Sequence, residues 1–85
     1  MAEDLIGTVT HWYGKIGVAG IELTAALSVG DTIHIVGNTS DVTQTIESMQ
    51  VEHESVEQAK PGEPIAVQLS DRVRVHDQVY RVAGE

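Results

Sequence analysis

The sequence predicts an all-β fold: a small six-stranded antiparallel β-barrel, closed or nearly closed, of the translation-protein type, with one short helical turn. Three observations carry that reading. The chain is 41% apolar yet contains no Phe, so its interior must be built from Val, Ile and Leu, and β-branched side chains favour a pleated sheet. Its apolar residues alternate with period two in short runs, separated by turn residues, and no periodic segment reaches helix length. The chain also writes "turn, acid, strand" three times. The first copy is Leu27-Ser28-Val29-Gly30-Asp31-Thr32-Ile33, the second Pro61-Gly62-Glu63-Pro64-Ile65, and the third Val75-His76-Asp77-Gln78-Val79. A small sandwich is the structural alternative.

The first strand runs from Leu5 to Trp12, with neither face cleanly apolar, as expected near a barrel's seam. A glycine-marked loop, Tyr13-Gly14-Lys15-Ile16-Gly17, leads into a second strand, Val18 to Thr24, with Ala19, Ile21 and Leu23 inward and Glu22 and Thr24 toward water. At Gly30 a positive φ is expected for a tight turn, and Asp31 is placed to bond backbone groups just beyond it. The strand that follows puts Ile33 and Ile35 on one face and Thr32, His34 and Val36 on the other.

The polar cluster Asn38-Thr39-Ser40-Asp41 delivers the longest extended run, Val42 to Glu54. Its apolar phase shifts parity between Ile46 and Met49, which predicts a β-bulge or sharp bend near Glu47-Ser48. Ser55 to Ala59 reads as a single helical turn that tucks Val56 and Ala59 under a barrel end, stopped by Pro61 and Gly62. Pro64 opens the fifth strand, where no ladder donor is needed, and Ile65, Val67 and Leu69 alternate along it. Asp71 to Val75 is a short alternating segment that leads into the last strand, Val79 to Val82.

With 85 residues the chain is read as one domain over 1–85, its core spanning about 5–82. It has no cysteine, so neither disulfides nor thiolate metal sites arise, which suits a reducing cytoplasm. No apolar run approaches the roughly 20 residues of a membrane helix, and Met1-Ala2-Glu3-Asp4 is acidic where a signal peptide would be basic. A net charge of -8 repels phosphate backbones, so no autonomous nucleic-acid binding is expected.

Five segments in order carry a family likeness: Ile6-Gly7-Thr8-Val9-Thr10-His11, Lys15-Ile16-Gly17-Val18-Ala19, Leu27 to Ile33, Ile46-Glu47-Ser48-Met49-Gln50-Val51, and Ala59-Lys60-Pro61-Gly62-Glu63. Together they resemble the β-barrel second domain of elongation factor Tu and related translation GTPases, over nearly the whole chain. They are most similar to the small free-standing elongation-factor-like proteins, and to the C-terminal barrel of the collagenase-like peptidase family. The resemblance implies a contact module docking on a protein or ribonucleoprotein. Its alternative is an accessory domain or subunit of a collagenase-like peptidase or an RNA-modifying enzyme. The sequence departs from the family at the third turn, where His76 takes the place usually held by Gly. No glycine-rich phosphate loop ending in Lys-Ser or Lys-Thr is present, so GTP hydrolysis is not carried over.

The candidate partner-binding residues are His11, Trp12, Tyr13 and Lys15, gathered at one loop tip. Aromatic residues with charged neighbours are enriched in contact hot spots, while the plainer reading makes Trp12 a plug at the barrel's open end. Arg72 and Arg74 share a face if their segment is extended and are a candidate anion or partner contact; plain charge balance against Asp71, Asp77 or Glu63 is the alternative. His11, His34, His53 and His76 have no spacing typical of zinc sites, so no metal or other cofactor is expected. His34 reads as an outward strand residue and His53 as a solvated neighbour of Glu52 and Glu54. Glu47, Glu52, Glu54 and Glu57 read as a solvated acidic face. Ser, His and Asp show no nucleophile elbow or spaced triad, and the domain is not expected to be an enzyme.

Overall fold

The computed structural model describes residues 3–38 and 41–82. Its strands are β1 (Glu3–Tyr13), β2 (Val18–Leu23), β3 (Leu27–Ser28), β4 (Thr32–Val36), β5 (Asp41–Thr45), β6 (Met49–Val51), β7 (Glu54–Val56), β8 (Gln58–Ala59), β9 (Pro64–Gln68) and β10 (Gln78–Val82). Eight of them form one sheet in the order β5-β4-β10-β1-β2-β9-β6-β7, and β3 pairs with β8 as a two-stranded ribbon. Every pairing is antiparallel. Thr39 and Ser40 of the predicted polar turn cluster lie outside the described residues.

The three turn units share one geometry. In each, the third residue is left-handed: Gly30 at φ 98°, Gly62 at 89° and His76 at 79°. The acid that follows accepts a hydrogen bond from the backbone N–H three residues earlier. Ser28 N donates to Asp31 Oδ2 (3.0 Å), Lys60 N to Glu63 Oε1 (2.8 Å) and Arg74 N to Asp77 Oδ2 (2.9 Å). The carboxylate therefore reaches back, toward the start of its own turn, where the sequence reading pointed it forward. A peptide N–H that the turn leaves unpaired is satisfied in this way.

Each turn then docks on one buried apolar residue through a reciprocal backbone pair. Gly30 N donates to Ile46 O and Ile46 N to Asp31 O (2.9 and 2.8 Å). Gly62 and Glu63 bracket Leu23 in the same manner, and His76 and Asp77 bracket Val9. The left-handed residue aims its N–H at the partner residue while the next carbonyl faces the same partner. One turn thus sets the register of one strand against a fixed core residue.

The alternation expected of the strands is present. Ala19, Ile21 and Leu23 of β2, Ile33 and Ile35 of β4, and Ile65 and Val67 of β9 are buried, and Met49 joins them after the predicted break at 46–48. In β1 the register shifts between Leu5 and Gly7 and again between Val9 and His11. These two irregularities bring both Ile6 and Val9 into the core despite their odd spacing, which is why neither face of that strand reads as apolar.

Two expectations are corrected. The sheet is barrel-like but not closed by hydrogen bonds: β5 and β7 stand at its ends unpaired with each other, and the described residues form ten strands, not six. The break at 46–48 turns the chain away from β5 before a ladder to β9 can form. A side chain spans that seam instead, since Gln44 Nε2 donates to Gln68 O (2.8 Å) and Gln44 Oε1 accepts from Ser70 N (2.8 Å) and Ser70 Oγ (3.0 Å). A primary amide carries the same donor and acceptor as a peptide group, so it stands in for a ladder rung.

The second correction is the helical turn at Ser55–Ala59, which is extended and forms β7 and β8. Glu52 (φ 52°) and His53 (φ 68°) make a two-residue left-handed turn that folds β7 back on β6, with Val51 opposite Glu54 and Met49 opposite Val56. That is the arrangement of a I′ hairpin, which ordinarily advertises itself as Asn-Gly. Val56 is half-buried and Ala59 buried, as expected, but from strands.

Candidate functional site

The β1–β2 hairpin carries the predicted tip. Ile16 N and Gly17 N both donate to Tyr13 O (3.2 and 2.9 Å), closing the loop, and Leu69 N donates to Gly17 O (2.9 Å), tying the tip to the chain after β9. Alternation along β1 then divides the four predicted residues between faces. His11 and Tyr13, two apart, stack their rings with centroids 5.9 Å apart and planes 6° from parallel. Trp12 points the other way, half-buried and packed against the core, with its indole beside Gly14. Trp12 thus packs on the core and still lines a cleft with Gly14, Lys15 and Arg72.

The hairpin tip as a whole presents apolar and cationic groups. Tyr13 is 50% and Ile16 63% exposed, and the Lys15 ammonium and Arg72 guanidinium stand on a chain of net charge -8. Among the described residues no lysine or arginine is ion-paired with a carboxylate. Residues 72–74 pair with no strand, and Val73 is buried between the exposed Arg72 and Arg74. Arg72 belongs to the Trp12 cleft, whereas Arg74 lines a separate one beside Gly37 and Asp77. Their neighbouring acids bond the backbone instead of the guanidinium groups: Arg72 N donates to Asp71 Oδ1 (2.9 Å) and Arg74 N to Asp77 Oδ2.

The four histidines lie apart. His53 sits in the β6–β7 turn, His76 in the third turn unit, and His11 against Tyr13 with its Nδ1 3.2 Å from Thr10 Oγ1. His34, outward on β4 as expected, has an environment that sequence reasoning missed. Its Nδ1 lies 3.0 Å from Glu3 Oε2 on β1 and its Nε2 2.6 Å from Asp41 Oδ1 on β5. The bond to Asp41 raises the imidazole pKa above its ordinary value, partial burial opposes it, and Glu3 adds to the rise. No local signal could have found this group, because Glu3 is 31 residues away in the chain. Among the described residues no three His, Asp or Glu side chains are arranged to hold a metal ion.

The all-β fold is shared with solved domains. The C-terminal domain of a Geobacillus thermoleovorans protein named as a U32 peptidase superposes with a TM-score of 0.87, covering 94% of this chain and 93% of that one at 17% identity. Its selenomethionine variant gives 0.84, covering 89% and 96% at 18% identity.

In sequence, the chain is 47% identical over 76 residues to an uncharacterized protease of Methanocaldococcus jannaschii, a match covering 88% of this chain and 19% of that protein. It is 33% identical over 81 residues to a collagenase of Porphyromonas gingivalis, covering 93% and 22%. No family model matches. The chain thus spans about a fifth of the length of these relatives. Sequence relatives and solved neighbours alike point to the C-terminal domain of U32 peptidase and collagenase-like proteins. None of these four is a translation factor, so they carry the peptidase half of the family likeness and not the elongation-factor half.

Proposed function

We propose that this domain is a non-catalytic accessory module of the U32 peptidase and collagenase-like proteins, which docks through the β1–β2 tip onto the enzyme body or its protein substrate. The observation that carries the reading is the 47% identity to a segment making up 19% of a protease: one compact unit recurs as a minor part of a much larger protein. His11, Trp12, Tyr13 and Lys15 are the contact residues, with Arg72 beside them and Arg74 outside the patch. Side chains with an apolar body and a polar end dominate binding energy when a partner dehydrates them.

A docking role also agrees with how the reactive groups are used. The imidazole of His34 is occupied on both nitrogens by carboxylates, and Thr10 Oγ1, the hydroxyl nearest His11, donates to Gly20 O (3.2 Å). Neither arrangement provides an activated nucleophile.

The test is reconstitution. The archaeal relative is produced without the matched segment, and this domain is added as a separate chain. Binding is expected, and a Trp12→Ala/Tyr13→Ala pair should weaken it by about 2 kcal/mol or more, roughly thirtyfold in Kd. Equal binding by wild type and the pair would overturn the assignment of the tip. The partner is a protein, since the charge of -8 opposes nucleic acid. A Kd for fluorescent tRNA below ~1 μM near physiological salt would argue otherwise, because non-specific binders sit at ~1–100 μM.

A further inference from the structure

A second cleft lies away from the tip, where the β6–β7 hairpin meets β8. Its floor is apolar: Val51 and Val56 are half-buried against the core, and Ala59 is buried. Its rim is acidic, with Glu52, Glu54 and Glu63 set against the single ammonium of Lys60. Glu63 is fixed there by the hydrogen bond that Lys60 N donates to its Oε1, while Glu52 and Glu54 are exposed and form no ion pair among the described residues. One wall is a strand edge, because β7 ends the eight-stranded sheet.

We propose that this cleft binds an extended, cationic segment of a partner polypeptide, in which apolar side chains alternate with Lys or Arg. Each part of the site selects one property of that occupant. An apolar floor built by Val51, Val56 and Ala59 takes apolar side chains at every second position, as an extended chain presents them. The free edge of β7 can bond the backbone of a chain lying alongside, in the manner of an added strand. Three carboxylates facing one ammonium complement a positive segment, and the net charge of -8 draws it in from a distance. Nucleic acid is excluded by the same sign of charge. A bare metal ion would leave the apolar floor unused.

This site is independent of the β1–β2 tip, so the two stand or fall separately. The experiment titrates the isotope-labelled 85-residue domain with the peptide acetyl-Gly-Arg-Val-Lys-Val-Arg-Gly-amide, following the domain's backbone amide shifts by NMR. An otherwise identical peptide with Ser for Val is the control. The expected result is saturable shifts at Val51, Val56 and Ala59 that are lost with the Ser peptide. Glu52→Gln/Glu54→Gln should weaken binding at least about threefold, as loss of two exposed charge contacts implies, and added salt should weaken it further. Trp12→Ala/Tyr13→Ala should leave it unchanged. Equal binding of the Val and Ser peptides, shifts confined to the tip, or no saturable shift would each overturn the proposal. The amide spectrum of each variant reports at once whether it is folded.

Discussion

The first and third turn units perform the same task with different means. In the unit at 28–31 the left-handed residue is Gly30, a Cβ there would meet nothing within 4 Å, and Asp31 is only half-buried. In the unit at 74–77 the left-handed residue is His76, and Asp77, 6% exposed, is the buried charged residue among those described. Asp77 lies so close under Gly37 that any Cβ at position 37 would overlap its carboxylate. The first turn is thus made cheap by the backbone of glycine. The third tolerates a strained residue because its acid is locked in place by its neighbours. Similar hydrogen bonds can therefore rest on local conformational ease in one place and on tertiary packing in another.

The sharpest way to break this contrast is Gly37→Ala. The new methyl would displace Asp77, leaving the part-buried Arg74 N–H without its acceptor and overfilling the site. A loss of about 2–5 kcal/mol is expected in urea denaturation, combining an unsatisfied donor with overpacking. A wild-type midpoint would show that Asp77 does not anchor the third turn.

Gly30→Val comes next. Space is open around Gly30, so the cost is that of a β-branched residue held left-handed, about 1–3 kcal/mol. In a domain with a stability of ~5 kcal/mol the change should be plain in the same denaturation series. His76→Gly should act in the opposite sense and less strongly. Relief of left-handed strain exceeds the added freedom of the unfolded chain by a few tenths to ~1 kcal/mol, so the midpoint should rise. A clearly earlier transition would mean that the His76 side chain contributes more than its conformation costs.

The smallest effect is a pH dependence on the strand that the first turn launches. His34 on β4 joins Glu3 of β1 to Asp41 of β5, and its pKa in the folded protein lies above the value near 6.5 of the unfolded chain. The protonated form is the one stabilised by folding. Its contribution is complete below about pH 6.5 and disappears as the pH rises through the higher, folded value. Stability measured between pH 6 and 8 should therefore fall with rising pH, and Glu3→Gln/Asp41→Asn should flatten the slope. An unchanged slope would assign the pH dependence elsewhere.

The candidate site was only half legible. Trp12, Tyr13 and Lys15 could be picked out because rare aromatic residues beside a glycine loop are a local signal. The split of His11 and Tyr13 from Trp12 also follows from strand alternation. That Arg72 joins Trp12 while Arg74 lines a separate cleft depends on which neighbours the fold sets beside each, which no periodicity encodes. The Val51/Val56 cleft was hidden by a turn made of Glu52 and His53, residues that ordinarily avoid positive φ and so gave no hairpin signature.

What the sequence by itself determined is whatever obeys short-range rules. The three turn units, the inward sets Ala19, Ile21, Leu23 and Ile33, Ile35, and the break at Glu47-Ser48 all follow from φ preferences, Asx-type bonding and a side-chain period of two, none of which reaches beyond a few residues. Only the tertiary structure decided how the sheet ends. Whether β5 closes on β9 depends on ladder donors and acceptors meeting in register across more than 20 residues of chain, and here they do not meet, so the Gln44 carboxamide spans the gap. His34 found Glu3 and Asp41 by the same logic. Strand order, which apolar burial selects for the molecule as a whole, brings together side chains that no local pattern relates.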